Sequence, residues 1–181
     1  TSLFGTKDAL QLKMLNNVAG VGGLGNFRNV DLEKVLAGKK ASINASVNGL
    51  TEGLSGSCSP KDMETMLQLT YLSFTAPRMD LDAFESFKNR TKAELANQEA
   101  NPMTALSDSL QYALYGNHPL AMRVKADMVD QIDYNLIMEM YKNRFMEAGD
   151  FTFLFVGNIN PVEAKPMIET YLGGLPTIQR K

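Results

Sequence analysis

His118 is the only imidazole and Cys58 the only thiol in the sequence, and they stand far apart in it. A zinc centre needs about three or four ligands, drawn mainly from His and Cys. A Ser-His or Cys-His nucleophile needs a base held beside it. The residue inventory therefore excludes most metal and acyl-transfer chemistry before any fold is considered. His118 lies in Tyr115-Gly116-Asn117-His118-Pro119, a turn directly after a helical stretch, where an isolated imidazole is structural or exposed. Cys58 ends a strand just before a helix start and reads as a buried, inert thiol.

The remaining chemical candidates are weaker. Gly20-Val21-Gly22-Gly23-Leu24-Gly25 has the look of a phosphate-cradling loop. A dinucleotide fingerprint, however, follows a strand and opens a helix. Here the glycines follow a helix and lead into Asn26, so they read as a closely packed or flexible helix exit. The carboxylates Asp80, Asp82, Glu85, Glu94, Glu99, Asp127, Asp130 and Asp133 are scattered, which suits first-turn and surface positions better than a coupled acid–base pair. The 11 methionines fall mainly on helical apolar faces, as core filler. Asn44-Ala45-Ser46 and Asn89-Arg90-Thr91 match the glycosylation pattern but fall within a strand and a helix, not in loops.

The elements that must position these residues are mostly helices. Ser59-Pro60, Asn101-Pro102 and Asn160-Pro161 each place a small polar residue before proline, the pattern of an N-cap with Pro at the first helical position. After Ser59, the spacing of Met63, Met66, Leu67, Thr70, Tyr71 and Phe74 predicts one buried helix face. A second helix after Asp80 carries Phe84, Phe87, Thr91 and Leu95 and reaches about residue 100. A third, from Pro102 to about Tyr115, has Leu106, Leu110 and Leu114 as its stripe. Asp133 caps a fourth, with Ile137, Tyr141 and Phe145 inward. An earlier helix covers residues 8–19. The last starts near Pro161, and Pro166 should disturb its first turn.

Alternation at Ile43, Ala45 and Val47, then again from Leu50 to Cys58 after Gly49, predicts an antiparallel pair. Residues 151–156, Phe-Thr-Phe-Leu-Phe-Val, read as a third strand. Two strands before a helical block and one after it indicate an α+β fold, a small, mostly antiparallel sheet on a layer of helices. One or two further strands at the N-terminal side would complete such a sheet.

With 44% hydrophobic and 21% charged residues, the balance is that of a globular chain and not a disordered one. The net charge of -2 is spread without a basic stripe, so nucleic acid is not an expected partner. No apolar run suggests a membrane span. The start at Thr1 and the end at Arg180-Lys181 suggest a piece of a longer polypeptide, read as one domain over 1–181. Location is left open between periplasm and cytoplasm.

Several phrases, taken in order, resemble the pitrilysin/insulinase (M16) family of zinc metallopeptidases, whose large bacterial members include exported proteins. They are Ser55-Gly56-Ser57-Cys58-Ser59-Pro60-Lys61-Asp62, Tyr115-Gly116-Asn117-His118-Pro119 and Asp130-Gln131-Ile132-Asp133. Tyr141-Lys142-Asn143-Arg144-Phe145, Phe153-Leu154-Phe155-Val156-Gly157-Asn158-Ile159-Asn160 and Tyr171-Leu172-Gly173-Gly174-Leu175-Pro176 continue the match to the end. The resemblance implies an M16-like (LuxS/MPP-like) domain lacking its first strand or strands. Family members have two related halves, each of two α+β domains. One half carries His-x-x-Glu-His on a helix, with a downstream Glu completing the zinc ligands and the motif's own Glu activating water.

In the matching place, residues 8–19, this sequence has no histidine. Glu94 or Glu99 stands where the downstream ligand is expected, without histidine partners. The resemblance therefore implies no catalytic, cofactor-binding or metal-binding residue in this chain, and zinc only in the parent protein. It points to a zinc-less domain of the C-terminal half, forming part of a substrate-enclosing chamber. Its partners are then a catalytic HxxEH-bearing domain or subunit and a peptide substrate. The alternatives are a stand-alone non-catalytic subunit or scaffold of the same fold, or an unrelated binding module.

Overall fold

Two strands, β1 (Ala41–Val47) and β2 (Glu52–Cys58), pair antiparallel from Ala41 opposite Cys58 to Val47 opposite Glu52. This is the expected hairpin, seen in a computed structural model that describes residues 8–48, 51–121, 123–145 and 147–178. The expected hairpin residues Gly49 and Leu50 lie outside the described residues, as do Thr1 and Arg180-Lys181.

Among the described residues there are seven α-helices: α1 (Ala9–Val18), α2 (Asn29–Val35), α3 (Met63–Thr75), α4 (Leu81–Glu99), α5 (Pro102–Tyr115), α6 (Tyr134–Phe145) and α7 (Pro161–Tyr171). The fold is α+β. α3 lies across β1 and β2 and against α7, and α1 packs on α6 and β1. Because α3 is covered on more than one side, Thr65, Leu69 and Ser73 are buried along with the expected Met63, Leu67, Thr70 and Phe74. The principal core joins Met14, Leu15 and Val18 of α1 to Ile137, Met138, Tyr141 and Phe145 of α6. Phe74 meets Phe145 edge-on at 5.4 Å and Phe151 at 5.0 Å. The buried Tyr141 hydroxyl donates to the Ser73 carbonyl at 3.0 Å, and burial pushes its pKa up.

The helix starts follow local chemistry. Asn101 Oδ1 accepts from Met103 N at 2.9 Å, and Asp133 Oδ1 accepts from Leu136 N at 3.0 Å. Asp80 Oδ1 accepts from Ala83 N at 3.0 Å. Ser59 does not cap as expected. Its hydroxyl donates to Asp62 Oδ2 at 2.5 Å, a 3-10 turn covers Pro60–Asp62, and the α-helix begins only at Met63. The first turn of α7 is intact despite Pro166, because Asn160 takes Val162 N on its side chain at 3.1 Å and Ala164 N on its carbonyl at 2.9 Å. Pro166 falls one turn later, where its missing amide costs the helix a single bond.

Two expectations change in three dimensions. The α5 stripe is not buried: Leu106, Leu110 and Leu114 are 60%, 59% and 66% exposed. Its period is that of an amphipathic helix, but the only element packed substantially against α5 is α4. Residues 151–156 do not form the expected strand: among the described residues none of them belongs to a ladder.

The glycine-rich exit of α1 is closely packed. A Cβ on Gly22 would stand 2.2 Å from the Arg78 carbonyl oxygen, and Gly23 holds φ at 95°. Gly25 N donates to the Ala76 carbonyl at 2.8 Å, tying this turn to the chain between α3 and α4. The amides of Val21, Gly23, Leu24 and Gly25 all donate within the fold, which answers the phosphate-loop likeness.

Candidate functional site

The missing third ladder leaves a cleft of about 970 Å³ between β2 and residues 151–156. Its β2 side includes Leu54, Gly56 and Cys58, and its opposite side Phe153 and Phe155. The floor is apolar: Met63, Met66 and Leu67 of α3, with Ala164 and Met167 of α7.

Both walls carry backbone groups of strand type. Among the described residues β2 pairs with β1 alone, so every second residue of β2 turns its N–H and C=O away from its partner. On the other wall, Phe151 N donates to the Ala148 carbonyl at 3.1 Å. Among the described residues, 152–156 make no backbone hydrogen bonds. Their side chains nevertheless alternate as in a strand. Phe151 and Phe153 pack toward Phe74, and Phe155 joins Met63, Leu67 and Ala164. Leu154 and Val156 point outward, 85% and 88% exposed.

Of the sequence candidates, Cys58 and the methionines Met63, Met66 and Met167 line this cleft. Cys58 is half-buried rather than buried, and burial, aided by the nearby Asp62 charge, pushes its thiol pKa up, away from reactive thiolate character. His118 sits in an exposed turn, where its carbonyl accepts from Ala121 N at 2.9 Å. Asn44 and Asn89 stand in β1 and α4, as the sequence placed them.

The carboxylates serve structure. Asp80 is buried, accepting from Arg28 Nε at 2.7 Å as well as capping α4. The Ala83 amide, with Arg28 beside it, holds its carboxyl below the usual range. Glu99 accepts from Ala126 N at 2.8 Å and lies 3.7 Å from Arg123, which makes a two-point pair with Asp108 at 3.0 and 2.9 Å. Asp130 pairs with Lys92. Sequence reasoning missed a heavily used carboxylate, Glu147. It is buried and accepts from Gly149 N at 3.0 Å, Thr177 Oγ1 at 2.5 Å and Ile178 N at 2.8 Å. Nothing in its local pattern distinguishes it, because its partners include residues about thirty positions downstream.

The donor set does not fit zinc. The polar residues of α1 are Gln11, Lys13, Asn16 and Asn17, and Asn16 holds the Val47 backbone. Glu94 lies 3.9 Å from Arg90 on the exposed face of α4. Among the described residues, no group of three His, Cys, Asp or Glu is placed to hold a metal ion. No helix among them is long and apolar enough to cross a membrane.

A hairpin laid across α3, with α7 against α3 and with α1 packed on β1 and α6, is a fold shared with solved M16 peptidase structures. The chain superposes on the periplasmic protease PqqL from Escherichia coli with a TM-score of 0.77, at 18% identity over 98% of this chain and 19% of that one. It superposes on the inactive domain of a peptidase M16 from Pseudomonas fluorescens with a TM-score of 0.70, at 20% identity over 97% of this chain and 44% of that one. In sequence it is similar to the zinc protease PQQL-like protein of Arabidopsis thaliana, 29% identical over 116 residues, 64% of this chain and 12% of that protein. No protein-family model matches. The M16 resemblance read from the sequence is borne out by these relatives. The chain spans only 12% and 18% of the lengths of the curated zinc-protease relatives that it matches.

Proposed function

We propose that the chain is a zinc-less, non-catalytic domain, residues 1–181, from the C-terminal half of a longer zinc metalloendopeptidase. It forms part of the wall of a substrate-enclosing chamber, while an HxxEH-bearing domain of the same polypeptide hydrolyses the peptide. Zinc belongs to that other domain.

The observation that carries this reading is α1. The sequence resemblance matches it to the family's zinc-binding helix; it carries no histidine, and its Asn16 side chain is committed to the Val47 backbone. The likeness to an inactive M16 domain supports the same reading. A helix of this kind can position a wall but supplies neither a metal ligand nor a base.

The test is to extend the gene sequence beyond both ends of this chain, then assay the purified parent and the isolated chain on α-casein with and without a chelator. The expected result is an in-frame His-x-x-Glu-His, chelator-sensitive cleavage by the parent, and none by the 181-residue chain. Chelator-sensitive cleavage by the isolated chain would overturn the reading. An open reading frame that ends near these termini would replace it with a stand-alone subunit.

A further inference from the structure

We propose that Glu147 is a positioning residue: it locks residues 175–178 to the body of the fold and so fixes the direction in which the parent polypeptide continues. This rests on the reading of the chain as one domain of a longer protein, and it names the contact that sets this wall against the domain that follows.

The geometry is a two-sided clamp. Glu147 is 3% exposed, and its carboxylate stands between two segments about thirty residues apart. Oε1 accepts from Gly149 N at 3.0 Å on its own side and from Thr177 Oγ1 at 2.5 Å on the other, while Oε2 accepts from Ile178 N at 2.8 Å. Ala148 N donates to the Pro176 carbonyl at 2.9 Å, so the two backbones are joined beside the carboxylate as well. The fit is close: a Cβ on Gly149 would stand 2.8 Å from Glu147 Oε1.

Both sides of the clamp are mounted on the principal core. Leu175 is buried in the cluster that holds Phe74 and Phe145. On the other side, Phe151 packs on Phe74 at 5.0 Å and on Phe145 at 5.5 Å. Beyond the clamp, the Ile178 side chain is half exposed.

The choice of a carboxylate favours position over stability alone. A carboxylate loses its hydration on burial, and its hydrogen bonds have to offset that cost. An apolar residue would hold the segment by packing, which has no direction; charge-assisted bonds to two amides and a hydroxyl fix its course as well. An active site assembled between domains needs that, since a misplacement of about 1 Å can cost about 100-fold in rate.

Spin-label distances in the parent test the assignment, with native cysteines replaced by serine and labels at Glu139→Cys on the exposed side of α6 and at an exposed position of the following domain. The otherwise unaltered parent should give one narrow distance distribution. Thr177→Val leaves the carboxylate in place but removes one of its donors, and it should broaden the distribution about twofold, as should Glu147→Gln. Thr177→Ser keeps the hydroxyl and should restore the narrow form. On α-casein, Thr177→Val should raise KM about threefold or more with kcat within about twofold, whereas a merely structural loss lowers the active fraction and therefore kcat alone. Unchanged distributions in both Thr177→Val and Glu147→Gln would overturn the proposal, as would a fall in kcat at constant KM. Broadening in a parent that does not cleave α-casein would support Glu147 while removing the catalytic reading, so the two fail separately. An open reading frame that ends near Lys181 would overturn both.

Discussion

Asn16 holds Val47 by both of its backbone groups: Nδ2 donates to the Val47 carbonyl at 3.0 Å, and Oδ1 accepts from its amide at 2.8 Å. One side chain from α1 thereby completes the end of β1 where the ladder to β2 stops. Replacing it leaves a donor and an acceptor beside a buried Val47 side chain without their partner. Asn16→Ala should lower stability by about 1–2 kcal/mol. In urea titration the midpoint should drop with the slope unchanged; an unaltered midpoint would show that water replaces the clamp fully.

Acid should weaken the fold through Asp80. The Ala83 amide and Arg28 hold its folded pKa below the ordinary 3.8, against the cost of its burial. Because the folded value is depressed, the stabilisation is present above the unfolded pKa and is lost as pH falls through the folded value. Melting temperature should therefore decline below about pH 4, and Asp80→Asn should flatten that decline. An identical acid profile in the variant would remove Asp80 from the account.

Glu147→Ala should release the C-terminal segment that it binds through Thr177 and Ile178. Three hydrogen bonds to a buried carboxylate are lost together, and a cost of about 2–4 kcal/mol is expected. Limited proteolysis after residue 176 should accelerate alongside the drop in the denaturation midpoint. Unchanged cleavage would mean that the segment is held elsewhere.

Core and surface leucine-type positions should separate cleanly. Ile137 is fully buried, and Ile137→Ala should cost about 2–5 kcal/mol. Leu106→Glu and Leu110→Glu, on the exposed face of α5, should each change the stability of the isolated chain by no more than about 0.5 kcal/mol. Chemical denaturation of the three variants reads both at once. A large loss at Leu106 would mean that α5 is covered in solution.

Much of the fold was legible because its signals are local. Asn101, Asn160, Asp80 and Asp133 mark helix starts by offering an oxygen to an amide two or three residues on, which sequence alone states. Ser59 misled because its hydroxyl had a competing acceptor in Asp62. The site was legible mainly in the negative: a single histidine and no histidine on α1 already limited the metal chemistry. Cys58 could be placed at a strand end, but that it borders a cleft could not be read.

The sequence by itself determined six of the seven described α-helices, α2 being the one not read from it, together with the hairpin and the M16 likeness, because periodicity, capping and turn chemistry act over a few residues. Only the tertiary structure decided that the α5 stripe stays exposed and that Glu147 gathers distant donors. It also decided that residues 151–156 alternate like a strand without becoming one. An apolar pattern records what a segment can pack against, but burial and ladder hydrogen bonds require a neighbour, and the neighbour is set by the whole fold.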